Sequence, residues 1–154
     1  MGKGAISIEF DCSDFIKNLE KIDKKIRGEV ARKAVDAGGH QVMDYARLNI
    51  RQKLNKHPRG HLANSITVTS KNTGSGAVAE VKPNREYARI HEFGGTIVPR
   101  KARMLYWRDP DTGELRAAKR VTIPARPYLR PAVEDHKEEI IAAMREVIEK
   151  ELHS

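Results

Sequence analysis

The chain has 154 residues, with 29 Lys and Arg against 21 Asp and Glu, a formal charge of +8 with His neutral. Its length predicts a single domain over residues 1–154, and 39% hydrophobic residues are too many for a fully disordered chain. One cysteine, Cys12, excludes an intrachain disulfide, a Cys-based zinc site and an iron–sulfur cluster, and 5% aromatics argue against a stacking platform for single-stranded nucleic acid.

The stretch from Met1 to Ser7 lacks the apolar centre of a signal peptide, and no run of about 18 apolar residues occurs, so the expectation is a soluble, cytoplasmically made chain with no membrane contact. Ile6, Ile8 and Phe10 alternate, predicting a short strand. Ser13 follows as an N-cap with Asp14 in the first turn. Phe15, Leu19, Ile22, Ile26 and Val30 then recur at helical spacing. The stripe continues through Ala34 and Ala37, and resumes after Gly38-Gly39 at Val42, Met43, Ala46, Ile50 and Leu54. One long, kinked helical region from about 13 to 55 is expected, with a break at the glycines as the alternative. The glycines end the helix, bend it, or admit a close neighbour. Pro58 and Gly60 close the region.

The period then changes to two. Ser65–Ser70 and Ala77–Val81 flank the polar turn Lys71–Gly76, predicting a hairpin. Tyr87–Phe93 is a short helix or turn ended by Gly94-Gly95. Met104–Trp107 and Ala118–Ile123 flank Asp109–Glu114, predicting a second hairpin that projects. Pro124-Ala125-Arg126-Pro127 is an extended lead-in to a last helix from 131 to near 151, with Pro131 in its first turn and Glu134 and Asp135 facing its N-terminal dipole. The expected class is α+β: an antiparallel sheet of four or five strands packed against a long N-terminal helix and a C-terminal helix.

Catalytic patterns are sparse. His91-Glu92 sets a base beside a carboxylate, but neighbours on a helix point about 100° apart and do not converge on one proton. No His-Glu-x-x-His, nucleophile elbow or phosphate-binding Gly-Lys loop is present. Two basic clusters are candidate polyanion contacts. Arg47, Arg51, Lys53, Lys56 and Arg59 lie in a stretch that has no acid from Arg47 to His61. His57 and His61 in that stretch lack a third metal ligand nearby. Arg100, Lys101, Arg103, Arg116, Lys119 and Arg120 belong to the second hairpin, where nine cations face three acids between Arg100 and Arg130, a balance of +6. Both clusters also fit a plain solvated surface.

Two local sequences stand out. One is Tyr87-Ala88-Arg89-Ile90-His91-Glu92-Phe93-Gly94-Gly95 and the other Pro124-Ala125-Arg126-Pro127-Tyr128-Leu129-Arg130-Pro131-Ala132. In the second, Tyr128 and Leu129 are anchors, and Arg126 and Arg130 suit bidentate pairing with carboxylates. The pair, with a terminal helix after it, resembles the tail-completion or neck proteins of tailed bacteriophages, also called head–tail joining or minor tail proteins. The virion-morphogenesis proteins of contractile-tailed, transposable phages share a similar signature. Gly60-His61-Leu62-Ala63-Asn64-Ser65-Ile66 also looks like that family's Gly-x-Leu-x-x-Ser-Ile lead-in to the first hairpin.

The resemblance implies a virion component without enzymatic activity, cofactor or metal, made in the bacterial cytoplasm and sited at the head–tail junction or tail end. It implies a homo-oligomeric ring around DNA, with head-connector, tail-tube or tail-terminator proteins as partners and non-specific DNA contact. Tyr87, His91, Glu92, Phe93, Gly94, Gly95, Pro124, Arg126, Pro127, Tyr128, Leu129, Arg130 and Pro131 would then frame a docking surface with no reaction centre between them. The alternative function is a basic nucleic-acid-binding module. A small hydrolase using His91 and Glu92 is the third reading.

Overall fold

The computed structural model describes residues 7–11, 24–54, 60–109 and 111–154. The predicted N-cap at Ser13, the first helical turns after it, Lys56, His57, Pro58 and Arg59 lie outside these residues. Strand β1 (Ile8–Asp11) precedes helix α1 (Lys24–Lys53). Helix α2 (His61–Asn64) then leads into the first hairpin, β2 (Ile66–Asn72) and β3 (Ala77–Pro83). Helix α3 (Ala88–Phe93) is followed by β4 (Gly95–Ile97), β5 (Leu105–Arg108), β6 (Leu115–Ala118) and β7 (Val121–Ile123). Helices α4 (Leu129–Glu134) and α5 (Lys137–His153) close the chain.

The α+β class and the framing helices are as expected, but the strands do not share one sheet. Among the described residues they form a three-stranded antiparallel sheet ordered β1-β3-β2, and two-stranded ribbons β4-β7 and β5-β6. The second hairpin is therefore corrected. Its return strand ends at Ala118, and Val121–Ile123 turns away to pair with Gly95–Ile97.

Helix α1 is the central layer, and small residues make it so. Ala31 and Val35 lie one turn apart and pack with Ala77 and Ala79 of β3. Val30 and Ala34, on the adjoining row, pack with Ile148 of α5. Gly38 and Gly39 extend these two rows. A Cβ on Gly39 would meet Val68 Cγ1 at 2.6 Å, and one on Gly38 would meet Met144 Cγ at 2.9 Å. Helix α1 runs uninterrupted through both. The glycines serve close approach, to the sheet on one side and to α5 on the other, and the break at 38–39 does not occur.

The C-terminal helix is also corrected, into two. His136 leaves helical geometry at φ −125°, ψ 27°, and its ring stacks on Tyr45 of α1 at 3.5 Å between centroids and 1° between planes. That contact with α1 accompanies the break. The acids near a helix N-terminus are accordingly Glu138 and Glu139 in the first turn of α5. The main core gathers Val42, Ala46 and Ile50 of α1, Leu62, Ile66, Val81 and Ala88, and then Tyr128, Leu129 and Ala132.

Candidate functional site

The two motif sequences are physically one unit. Helix α3 presents Glu92 inward, where it is the buried charged residue of the described chain. Its Oε2 accepts the backbone N–H of Tyr128 at 2.8 Å and of Leu129 at 2.9 Å, and its Oε1 accepts that of Arg130 at 3.0 Å. These are the first N–H groups of α4, which has no capping side chain of its own. A carboxylate 36 residues upstream supplies the cap, with charge of the sign that a helix N-terminus favours. Pro131, in that same first turn, has no N–H to satisfy.

Further bonds close the clasp. The Arg126 N–H donates to His91 O at 2.8 Å, and the Tyr128 hydroxyl donates to Ala88 O at 3.3 Å. From α1, Asn49 Nδ2 donates to Tyr128 O at 3.0 Å and Lys53 Nζ to Pro127 O at 2.6 Å. Burial, and then the nearby Glu92 charge, hold the Tyr128 phenol above its ordinary range, so it stays protonated and a donor. Gly94 leaves α3 at φ 69°, ψ 179°, a region nearly closed to residues with a side chain. A Cβ there would meet Ala125 N at 2.7 Å and Ile123 O at 2.9 Å. The glycine turn and the proline segment thus touch backbone to backbone.

The other motif residues face outward. Tyr87 and Phe93 are exposed, with Tyr87 edge-on to His91 at 5.9 Å and Arg89 over the Phe93 ring at 5.1 Å. Gly95, Pro124, Arg126 and Arg130 are exposed and Pro127 is half-buried. Arg130 makes an exposed ion pair with Glu134 at 3.9 Å, one helical turn on. Ile97 and Val98 add apolar surface after the turn. His91 and Glu92 point to different neighbours, as the helix spacing requires. The Glu92 oxygens are engaged by backbone N–H groups.

The structure separates the basic residues into two kinds. Arg47 donates to Ala63 O and Ile66 O, Lys53 to Pro127 O, and Arg116 pairs with Asp109 and Glu114. These cations are engaged within the chain, Arg116 by exposed ion pairs inside its own hairpin. Arg51, Arg100, Lys101, Arg103, Lys119 and Arg120 are exposed. The tip of the second hairpin is ordered by Asp109, whose carboxylate accepts the N–H of Asp111 and Thr112, and those bonds hold its pKa low. Asn49 is the site residue that the motifs alone do not reveal. Its signal is an Asn–Lys pair one turn apart, Asn49 and Lys53, on α1.

No group of three or more His, Cys, Asp or Glu side chains among the described residues is placed to hold a metal, and no described helix is long and apolar enough to cross a membrane. Residues 13–94, just over half of the chain, match the model of the HK97-gp10-like family, the bacteriophage HK97 gp10 tail-component family. The chain belongs to that family. No curated protein and no solved structure matches it. A phage tail component has other phage structural proteins as its partners. The family match ends at Gly94, so the β5–β6 ribbon and the proline segment lie beyond it.

Proposed function

We propose that this tail component is a non-enzymatic structural subunit acting in head–tail joining or tail completion, with residues 1–154 as one unit that assembles into a ring at the head–tail junction or tail end. The observation that carries the reading is the Glu92 clasp. It spends the most conspicuous carboxylate on three backbone N–H groups and so fixes the turn at Gly94 against the proline segment. What it leaves outside, around the turn it fixes, is apolar: Tyr87, Phe93, Ile97 and Val98. Such a surface suits docking on head-connector, tail-tube or tail-terminator proteins, because a preorganised patch loses little entropy on binding. Density for this chain in a ring at the head–tail junction of virions is the expected result of cryo-electron microscopy, and its absence there and at the tail end overturns the reading.

The exposed cations Arg100, Lys101, Arg103, Lys119 and Arg120 support a second reading, non-specific contact with DNA passing through the ring. Duplex binding should then weaken steeply between low and physiological salt. No binding at low salt removes this second reading. His91→Ala leaving every assayed hydrolysis unchanged is the outcome expected of a chain without catalysis.

A further inference from the structure

We propose that the β5–β6 ribbon of one copy docks on the outer face of α5 of a second copy, giving a head-to-tail contact between different surfaces. This rests on the ring reading above and names the surfaces that would build it.

Among the described residues no other strand pairs with the ribbon, and a two-stranded ribbon is marginal in water. In its register Tyr106 faces Ala117 and Arg108 faces Leu115, which sets Tyr106, Leu115 and Ala117 on one side with the exposed Arg108 at its end. Tyr106 is 65% exposed and Leu115 68%. Beside this apolar side, Arg100, Lys101 and Arg103 precede β5, and Lys119 and Arg120 follow β6, all exposed.

The complement is on the same chain. Between Glu134 and Glu151 seven acids face three cations, a balance of −4. Helix α5 buries Ile140 and Ile148 but leaves Ile141 42% and Leu152 39% exposed. Ile141 and Leu152 fall within about 20° of one another around the helix. Going outward from that line come Arg145, then Glu138 and Glu149 at about 60–80° with Ala142 beyond them, while Glu139 and Glu146 lie farther round, all of them exposed. An apolar side with cations at its edge thus meets an apolar line with carboxylates at its edge. Opposite charge fixes the register and speeds encounter, while apolar burial holds the contact. Because the two surfaces differ, each copy offers one and receives the other, so the contact propagates into a closed ring or an open chain.

The test uses the full chain in sedimentation velocity and native mass spectrometry. The wild type should self-associate with rising concentration. The pair Lys119→Glu with Arg120→Glu, and separately the pair Glu138→Lys with Glu149→Lys, should each weaken association at least about tenfold. Mixing the two reversed chains should restore it, since every contact then joins opposite charges. Leu115→Cys chains mixed with Ile141→Cys chains, both with Cys12→Ser, should form a disulfide-linked heterodimer in preference to either homodimer. The reversed charged side chains, Leu115 and Ile141 are exposed, and unchanged circular dichroism checks the fold.

Reversed chains that associate like the wild type overturn the proposed surfaces and leave the ring reading standing. A wild type that stays monomeric at every concentration overturns the contact, while virion density then judges the tail reading separately. Reversal that abolishes DNA binding but not self-association assigns the ribbon to nucleic acid and also overturns the proposal.

Discussion

The Glu92 carboxylate and the Tyr128 backbone N–H meet at 2.8 Å, although the two residues are 36 positions apart in the chain. This one bond ties the end of α3 to the start of α4, with the whole β4–β7 segment looped between. Glu92→Ala strands three N–H groups, two of them on fully buried residues, and each unsatisfied buried donor costs about 1–3 kcal/mol. Glu92→Gln keeps one oxygen acceptor and turns an amide N–H₂ toward another donor. Urea unfolding should rank wild type above Gln above Ala, with the Ala variant lower by about 3 kcal/mol or more.

The two glycines in the middle of α1 should answer alanine differently. Gly39→Ala gains about 1 kcal/mol of helix propensity but drives a Cβ to 2.6 Å from the stiff Val68 side chain. Overpacking of about 1–3 kcal/mol outweighs that gain, so the variant should be destabilised. At Gly38 the obstacle is the unbranched Met144 side chain, with Cγ at 2.9 Å and Sδ at 3.0 Å, whose three rotatable bonds let it yield more readily than Val68. Gly38→Ala should be close to neutral in thermal unfolding.

At Gly94 no such tolerance exists. The backbone conformation is closed to L side chains and the atoms in the way, Ala125 N and Ile123 O, are main chain. Gly94→Ala should lose about 3 kcal/mol or more, and hydrogen exchange should show the β4–β7 ribbon losing protection first.

Tyr128 predicts an alkaline limit. Its phenol titrates above the usual range when folded and near pH 10 when unfolded. The unfolded chain therefore sheds the proton first, and the stability that this group contributes is complete below about pH 10 and declines above it. Tyr128→Phe lacks this component. At neutral pH it should be less stable by about 1 kcal/mol, from the lost bond to Ala88 O, and the gap should narrow between about pH 9.5 and 11.5 in pH-resolved chemical denaturation.

Period and punctuation were legible in the chain alone. Alternation marked β2 and β3, a polar run marked their turn, and Ile26 to Ile50 marked α1, because burial on one face imposes those spacings locally. The two motifs also stood out locally, since prolines fix the backbone and a glycine pair frees it wherever they stand. Pairing across distance was not. Nothing near Tyr128 announces that its helix is capped by Glu92, and nothing near Val121 says that it leaves β6 to join Gly95–Ile97. The split at His136 comes with a ring stack on Tyr45, some ninety residues earlier. A residue's local spacing reports which side is buried, whereas the identity of what buries it depends on contacts that form only when the whole chain has closed on itself.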